Sequence, residues 1–140
     1  MKMSVSASPH QILQPSGWKA AKGYSNGIAA SGRTLYLGGQ IGWTADQTFE
    51  TDDFVGQVRQ TLENVAVLLR EGGAGPEHVV RMTWFITDKA EYLARLRELG
   101  EAYRAVMGRN FPAMSVVVVA ALIEDRAKVE IEATAVVPGS

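Results

Sequence analysis

The sequence predicts a single α+β domain, and three observations support this class. Its 140 residues suffice for one compact domain. Two segments repeat apolar residues every three or four positions, as amphipathic helices do, and about five short segments are rich in β-branched and aromatic residues. Their order, β-β-α-β-α-β-β, places two helices on one face of a mixed β-sheet. We divide the chain into a flexible N-terminal arm at 1–17 and a folded domain at 18–140.

The first elements are predicted from turn residues. The arm is polar and proline-containing, with room for one short strand. A β-hairpin follows, with its two strands on either side of a turn at 31–33. Gly38 and Gly39 lie inside the second of these strands, which indicates a β-bulge or the close approach of another backbone.

The first helix is predicted from Asp53 to Glu71. Asp52 and Asp53 suit its N-terminus, where a carboxylate caps free N–H groups and favours the helix dipole. The glycines at 72–73 end it. Its apolar positions form one buried stripe: Val55, Val58, Leu62, Val65 and Leu69.

A strand at 79–86 and a second helix come next. Asp88 lies three residues before Glu91, a spacing typical of a helix N-terminus. The helix is predicted to run without interruption to Met107, with Gly108 directly after its end. Its expected buried positions are Leu93, Leu96, Leu99, Tyr103 and Met107.

Two strands at 114–121 and 128–137 end the domain. Successive side chains of a strand point to opposite faces, so Met114 shares a face with Val116, and Glu130 shares one with Glu132. The run at 116–122 is apolar on both faces, although helices cover only one face of the sheet. We therefore expect a second copy of the chain to cover the other face.

Composition excludes several classes of function. Basic and acidic residues nearly balance, at 14 and 15, and no dense basic run indicates nucleic-acid binding. The absence of cysteine excludes disulfides and thiolate sites, and two histidines are too few for a histidine-based metal site. No apolar stretch reaches the roughly 20 residues of a membrane helix, and the N-terminus lacks the apolar core of a signal peptide. We expect a cytoplasmic protein without metal, membrane or nucleic-acid partners.

Short segments in a fixed order carry a resemblance to a known family. The chain is similar to the RidA/YjgF (reactive-intermediate deaminase A) family over about 24–137. The segments are Tyr24-Ser-Asn-Gly, Leu37-Gly-Gly-Gln-Ile-Gly, Gln57-Val-Arg-Gln-Thr-Leu-Glu-Asn-Val, Gly73-Ala-Gly-Pro-Glu-His-Val-Val-Arg-Met-Thr, Phe85-Ile-Thr-Asp, Phe111-Pro-Ala and Val129-Glu-Ile-Glu-Ala. The resemblance implies a chorismate-mutase-like fold, a homotrimer with clefts between subunits, and hydrolysis of 2-enamine and 2-imine acids to 2-keto acids and ammonia. It implies no cofactor.

The resemblance also assigns roles to residues. The cleft tyrosine of the family falls on Tyr24, and the glutamate that positions or activates water falls on Glu130. The loop whose backbone faces the ligand falls on a run that includes Gly39, Gln40 and Ile41. Without the resemblance, each of the two residues has an alternative interpretation. Tyr24 would be a turn residue, and Glu130 would belong to a solvated strand face.

The chain departs from the family pattern at two positions of this cleft. Met114 stands where the family has the arginine that binds the substrate carboxylate, and Val116 stands where it has a small polar or thiol residue. Losing that arginine predicts a roughly 10- to 1000-fold loss for a carboxylate substrate. The cleft wall becomes apolar, with Trp84 and Trp43 as further candidate wall residues, which favours a neutral or aromatic ligand. Candidates to replace the missing arginine are Arg33, Arg81, Arg109 and Arg126.

Two functions follow from these expectations. The first is an imine or enamine hydrolase in which Glu130 orients water and Tyr24 holds the substrate. The second is a trimeric protein that binds a metabolite or a partner without chemistry, favoured by Met114. An RNA-cleaving role, attached to some relatives, is disfavoured by the balanced charge.

Overall fold

The computed structural model describes residues 8–139. A short 3-10 turn, Pro76–His78, precedes the strand that begins at Val79. The strands are β1 (Gln11–Leu13), β2 (Gly27–Ala29), β3 (Arg33–Ile41), β4 (Val79–Ile86), β5 (Ala113–Val118) and β6 (Val129–Val137). The helices are α1 (Phe54–Glu71), α2 (Lys89–Ala94) and α3 (Leu96–Met107).

The main sheet has the strand order β3-β6-β4-β5. Strands β4 and β5 are parallel, whereas β6 is antiparallel to both of its neighbours. Helix α1 packs against β3, β6 and α3. The predicted α+β class, with a mixed sheet and helices on one face, is confirmed.

Helix α1 has the predicted bounds and orientation. The Asp53 side chain accepts a hydrogen bond of 2.9 Å from the backbone N–H of Gly56, which caps the N-terminus. Gly72 ends the helix, and Gly73 follows with φ at +76°, a conformation that favours glycine. The predicted apolar stripe faces the core, with Val55 at its half-buried edge.

The predicted hairpin around 31–33 is wrong. Strand β2 pairs with β1 in a separate two-stranded sheet, whereas β3 pairs with β6. Gly32 has φ at +144°, and a Cβ there would collide with the carbonyl oxygen of Val137. Gly32 is therefore needed because the chain passes close to the end of β6 at this point. It does not form a hairpin turn that pairs β3 with β2.

The second helix is also different from its prediction, because it breaks at Arg95. Leu93 and Leu96, on either side of the break, are exposed where burial was expected. Asp88 caps the first piece through the Glu91 N–H at 3.0 Å. In the second piece Leu99, Tyr103 and Met107 are buried as predicted, and the glycine at 108 has φ at +66°.

The two faces of the sheet differ in cover. One row that faces the helices contains Val116, Trp84 and Ile131, which are ladder partners. The alternate row contains Glu130 and Phe85, and no element of residues 8–139 packs over the face to which it points. Strand β5 ends at 118, three residues before its predicted end.

The predicted irregularity at Gly38 and Gly39 is confirmed. The register of β3 against β6 shifts between Leu37 and Gln40, which marks a β-bulge. A Cβ at residue 39 would collide with the carboxylate of Glu130. The bulge thus gives room to this side chain on the open face of the sheet.

Candidate functional site

A cavity of about 260 Å³ lies between α3 and strands β4 and β5. We call it the α3 cavity. Four of the residues selected from the sequence line it, namely Tyr24, Trp84, Met114 and Val116. The remaining walls are supplied mainly by apolar and aromatic side chains of α2 and α3, by Phe111, and by the backbone next to Tyr24. The sequence pattern therefore selected residues that the fold brings together.

Hydrogen bonds to the segment before β5 position Tyr24. The backbone N–H of Ser25 donates to the Pro112 carbonyl at 2.9 Å, and the Ser25 hydroxyl donates to the Phe111 carbonyl at 2.6 Å. Tyr103 stacks on Phe111, with ring centroids 5.7 Å apart. The two Ser25 hydrogen bonds fix the backbone next to Tyr24, whose side chain lines the α3 cavity and carries a hydroxyl donor.

Two tyrosines, one buried and one half-buried, line the helix side of the cavity. Burial raises the pKa of Tyr103, whose hydroxyl donates to the Asn110 carbonyl. Burial also raises the pKa of Tyr92. Both phenols are therefore neutral at physiological pH, and each adds aromatic surface to the wall.

Trp84 provides an unpaired donor. Its side chain is buried, and its indole Nε1–H has no hydrogen-bond partner within residues 8–139. Trp43, the other tryptophan considered from the sequence, packs on Phe49 with ring centroids 5.8 Å apart and does not line this cavity.

Met114 has no cationic replacement among the arginines proposed from the sequence. Arg33 donates to the Gly72 carbonyl at 2.8 Å, and Arg126 pairs with Asp52 at 2.9 Å. The other two, Arg81 and Arg109, line other parts of the surface.

Two cations do line the α3 cavity, Lys22 and Arg104, and neither was selected from the sequence; Arg104 is the arginine. The signal that could have found it is Gly100, four residues earlier on the same face of α3. A Cβ at residue 100 would lie 3.0 Å from the Arg104 Nη1 atom, so the glycine gives the guanidinium room to lie along the helix.

Glu130 lies on the open face of the sheet, away from the α3 cavity. Its carboxylate has no hydrogen bond or ion pair with any described residue. Gly39 is adjacent to it, and Ile41 is its ladder partner on β3. The Gln40 side chain instead donates to the Gly38 carbonyl at 3.2 Å. A single chain therefore separates the predicted site into two parts, the α3 cavity and the surface around Glu130.

Residues 8–139 contain neither a metal-binding cluster nor a membrane-spanning helix. No group of three or more histidine, aspartate and glutamate side chains is placed to hold a metal ion. None of the helices combines the length and hydrophobicity required to cross a bilayer.

Comparisons with known proteins match nearly the whole domain. Residues 15–137 match the family model described as endoribonuclease L-PSP. A 2-iminobutanoate/2-iminopropanoate deaminase from Salmonella typhimurium is 34% identical over 105 residues, which cover 75% of this chain and 80% of that protein. The deaminase of the same name from Capra hircus is 30% identical over 134 residues, covering 94% and 93%.

A solved structure matches as well. The Rid-family protein YyfB of Yersinia pestis, described as of unknown function, superposes with a TM-score of 0.82 at 29% sequence identity. The match covers 91% of this chain and 98% of that one. The similarity thus includes both the α3 cavity and the Glu130 surface.

Proposed function

The chain belongs to the RidA/YjgF family, and from this membership we propose that it is a hydrolase that deaminates an imine, an enamine or a related small metabolite. The observation that supports this function best is the carboxylate of Glu130. It has no partner among the described residues and faces the space left by Gly39. A carboxylate without a fixed partner is available to bind and activate water.

The proposed site lies between two copies of the chain, in a homotrimer. Within one chain, the α3 cavity and the Glu130 surface lie on opposite faces of the sheet. In the proposed trimer, the α3 cavity of one copy meets the Glu130 surface of the next. Exposed apolar groups on the open face support association, since Tyr36 is 81% exposed and Val117 is also exposed.

The proposed chemistry is hydrolysis of a C=N bond. Glu130 accepts a proton from water as the water oxygen bonds to the imine carbon, and it returns that proton to the nitrogen to give a carbinolamine. Glu130 then transfers the carbinolamine hydroxyl proton to the same nitrogen, so that the C–N bond breaks, ammonia leaves and a C=O group remains. One imine and one water are consumed, and one ketone and one ammonia are formed. The Tyr24 hydroxyl, at the mouth of the cavity, would hold the substrate by a hydrogen bond.

Met114 separates this activity from that of the relatives named as deaminases of 2-iminobutanoate and 2-iminopropanoate. A thioether offers a carboxylate no charge-assisted hydrogen bond, which an arginine would provide in a bidentate geometry. We therefore propose that small 2-imino acids are poor substrates of this chain. The wall around Met114 and Val116 favours a ligand with more apolar surface.

The function is tested by following ammonia release from small and from aromatic imino acids generated in the assay. Glu130→Gln should lower the rate about 100-fold or more, which is typical of losing a general base. Glu132→Gln is the matched control, because Glu132 lies two residues away on the same strand face and should leave the rate unchanged. Equal rates in the wild type and Glu130→Gln would exclude the proposed role.

The alternative is a trimeric binding protein without catalysis, and the apolar wall at Met114 is the observation that favours it. Met114→Arg distinguishes the two functions. If this variant gains hydrolysis of small 2-imino acids, the catalytic apparatus is intact and the natural chain has changed substrate. If neither the wild type nor Met114→Arg releases ammonia from any imine tested, the binding function is favoured.

A further inference from the structure

We propose that the α3 cavity binds a carboxylic acid with an aromatic or bulky apolar body, and that Arg104 binds its carboxylate in place of the arginine missing at position 114. This assignment names the substrate class of the proposed hydrolase site. That the bound acid also reacts rests on the proposed function, whereas its binding does not.

The walls of the cavity define the apolar part of the ligand. Met114 and Val116 form the strand side, and Leu96 and Leu99 face them from α3. The volume of about 260 Å³ is slightly below the roughly 300–1,000 Å³ of sites for drug-sized ligands. A metabolite with one ring or one branched chain fits such a space.

The charge at the cavity defines the other end of the ligand. Arg104 and Lys22 both line it, and no aspartate or glutamate does. Arg104 has no hydrogen bond or ion pair through its side chain within residues 8–139. Two other arginines of the same helical region do have carboxylate partners. Arg95 lies 2.7 Å from Glu98, and Arg97 lies 4.0 Å from Glu101.

Trp84 extends the apolar wall of the cavity. Its side chain is only 4% exposed and lines the cavity. Its Nε1–H has no partner within residues 8–139, and the Nε1 atom is itself closed off from solvent, so a ligand in the cavity contacts the indole ring and does not reach this donor.

Arg104 replaces the missing cation from a different element. The family arginine would extend from β5 at position 114, whereas Arg104 extends from α3 across Gly100. The carboxylate is then held at the helix side of the mouth, and the methionine at 114 is free to contact the apolar body. This arrangement explains how an acid can remain the ligand of a site that lacks the family cation.

The test is a calorimetric titration of the full-length protein with three probes. Phenylpyruvate has the ring and the acid, 2-oxobutyrate has the acid without the ring, and phenylacetone has the ring without the acid. Phenylpyruvate should bind at least about 10-fold more tightly than either of the others. Equal affinity for phenylpyruvate and 2-oxobutyrate, or no detectable binding of phenylpyruvate, would overturn the proposal.

Variants assign the contacts. Arg104→Gln should weaken phenylpyruvate binding about 10- to 100-fold, as expected for losing a charge-assisted contact, and should not alter phenylacetone binding. Arg97→Gln is the matched control on the same helix, since Arg97 is 92% exposed and does not line the cavity. Equal effects of Arg104→Gln and Arg97→Gln would contradict the role of Arg104.

The two proposals fail separately. Ammonia release by Glu130→Gln tests the reaction, whereas titration of Arg104→Gln with phenylpyruvate tests the ligand, so each proposal has its own measurement. If phenylpyruvate binds through Arg104 but no imine releases ammonia, the hydrolase function fails and the ligand assignment stands. If ammonia is released but Arg104→Gln changes neither binding nor KM, the ligand assignment fails alone.

Discussion

Gln57 and Trp84 are both almost completely buried polar side chains, yet their hydrogen bonding is opposite. Gln57 is 0% exposed, and its amide donates to the carbonyls of Thr51 at 3.1 Å and Arg126 at 2.9 Å. Its oxygen accepts from the Lys128 backbone N–H at 2.8 Å. The Trp84 Nε1–H has no partner within residues 8–139.

The difference concerns what each side chain does for stability. Gln57 joins α1 to the loop before it and to the start of β6, so every contact it makes is within the fold. Trp84 borders the α3 cavity, but its Nε1 atom is closed off from solvent and unpaired. A buried polar group whose hydrogen bonds are all made within the fold stabilises it, whereas a buried donor without a partner is unfavourable.

The largest expected effect comes from Gln57→Leu. This change leaves one backbone N–H and two carbonyls without their side-chain partner, and it should lower the free energy of unfolding by about 2–4 kcal/mol. Urea unfolding followed by circular dichroism, at one fixed protein concentration, measures the loss.

Gln60→Leu is the control for this measurement. Gln60 is on the same helix, but its amide makes a single bond of 3.0 Å to the Asn64 side chain. Its replacement should lower the free energy of unfolding by less than about 1 kcal/mol. Similar losses for the two variants would contradict the structural role assigned to Gln57.

A smaller effect on stability is expected for the replacement of Trp84. Trp84→Phe removes packing volume and also removes a donor whose unpaired burial is unfavourable by about 1–3 kcal/mol. The two terms oppose each other, so the free energy of unfolding without ligand should change by about 1 kcal/mol or less. The same urea titration checks it. A loss as large as that of Gln57→Leu would mean that the indole N–H has a structural partner.

Much of the fold was predictable because local signals agreed with tertiary packing. The spacing of Val58, Leu62 and Leu69 predicts both the length of α1 and its buried face. The hairpin prediction failed because Gly32 marks a close approach to β6, and a turn glycine does not reveal which strand lies next to it. The break at Arg95 was missed because the apolar spacing continues through it, and the contact of Arg95 with Asp53, 42 residues earlier, is not visible in local sequence.

The candidate site was predictable only in part. Strand alternation places Met114 and Val116 on one face, and the structure adds Trp84 as their neighbour. Arg104 was missed because its position next to the cavity depends on how α3 packs on the sheet. That Glu130 lies on the opposite face follows from the pairing of β6 with β4, which sequence spacing does not determine.

The smallest effect is expected for polar groups that are paired but exposed to solvent, namely the carboxylates of Asp53 and Glu98. Hydrogen bonds from the Gly56 N–H and then from Arg95 lower the pKa of Asp53, and a hydrogen bond from Arg95 lowers the pKa of Glu98. Their ordinary pKa values are 3.8 and 4.5. A lowered folded pKa stabilises the fold fully above the ordinary value, and this contribution is lost as the pH falls through the lowered value.

Arg95→Gln should therefore make the urea midpoint fall less steeply with pH below about 5 than it does in the wild type, because the carboxylates lose their shared cation. The difference should be small, since ion pairs near the surface contribute little in water and less in salt. Arg97→Gln is the control, because its 4.0 Å contact with Glu101 is longer and more exposed. Identical pH slopes in the wild type and Arg95→Gln would mean that the Gly56 N–H alone lowers the Asp53 pKa. Ion pairing at this exposed site would then stabilise the fold less than the buried hydrogen bonds of Gln57 do.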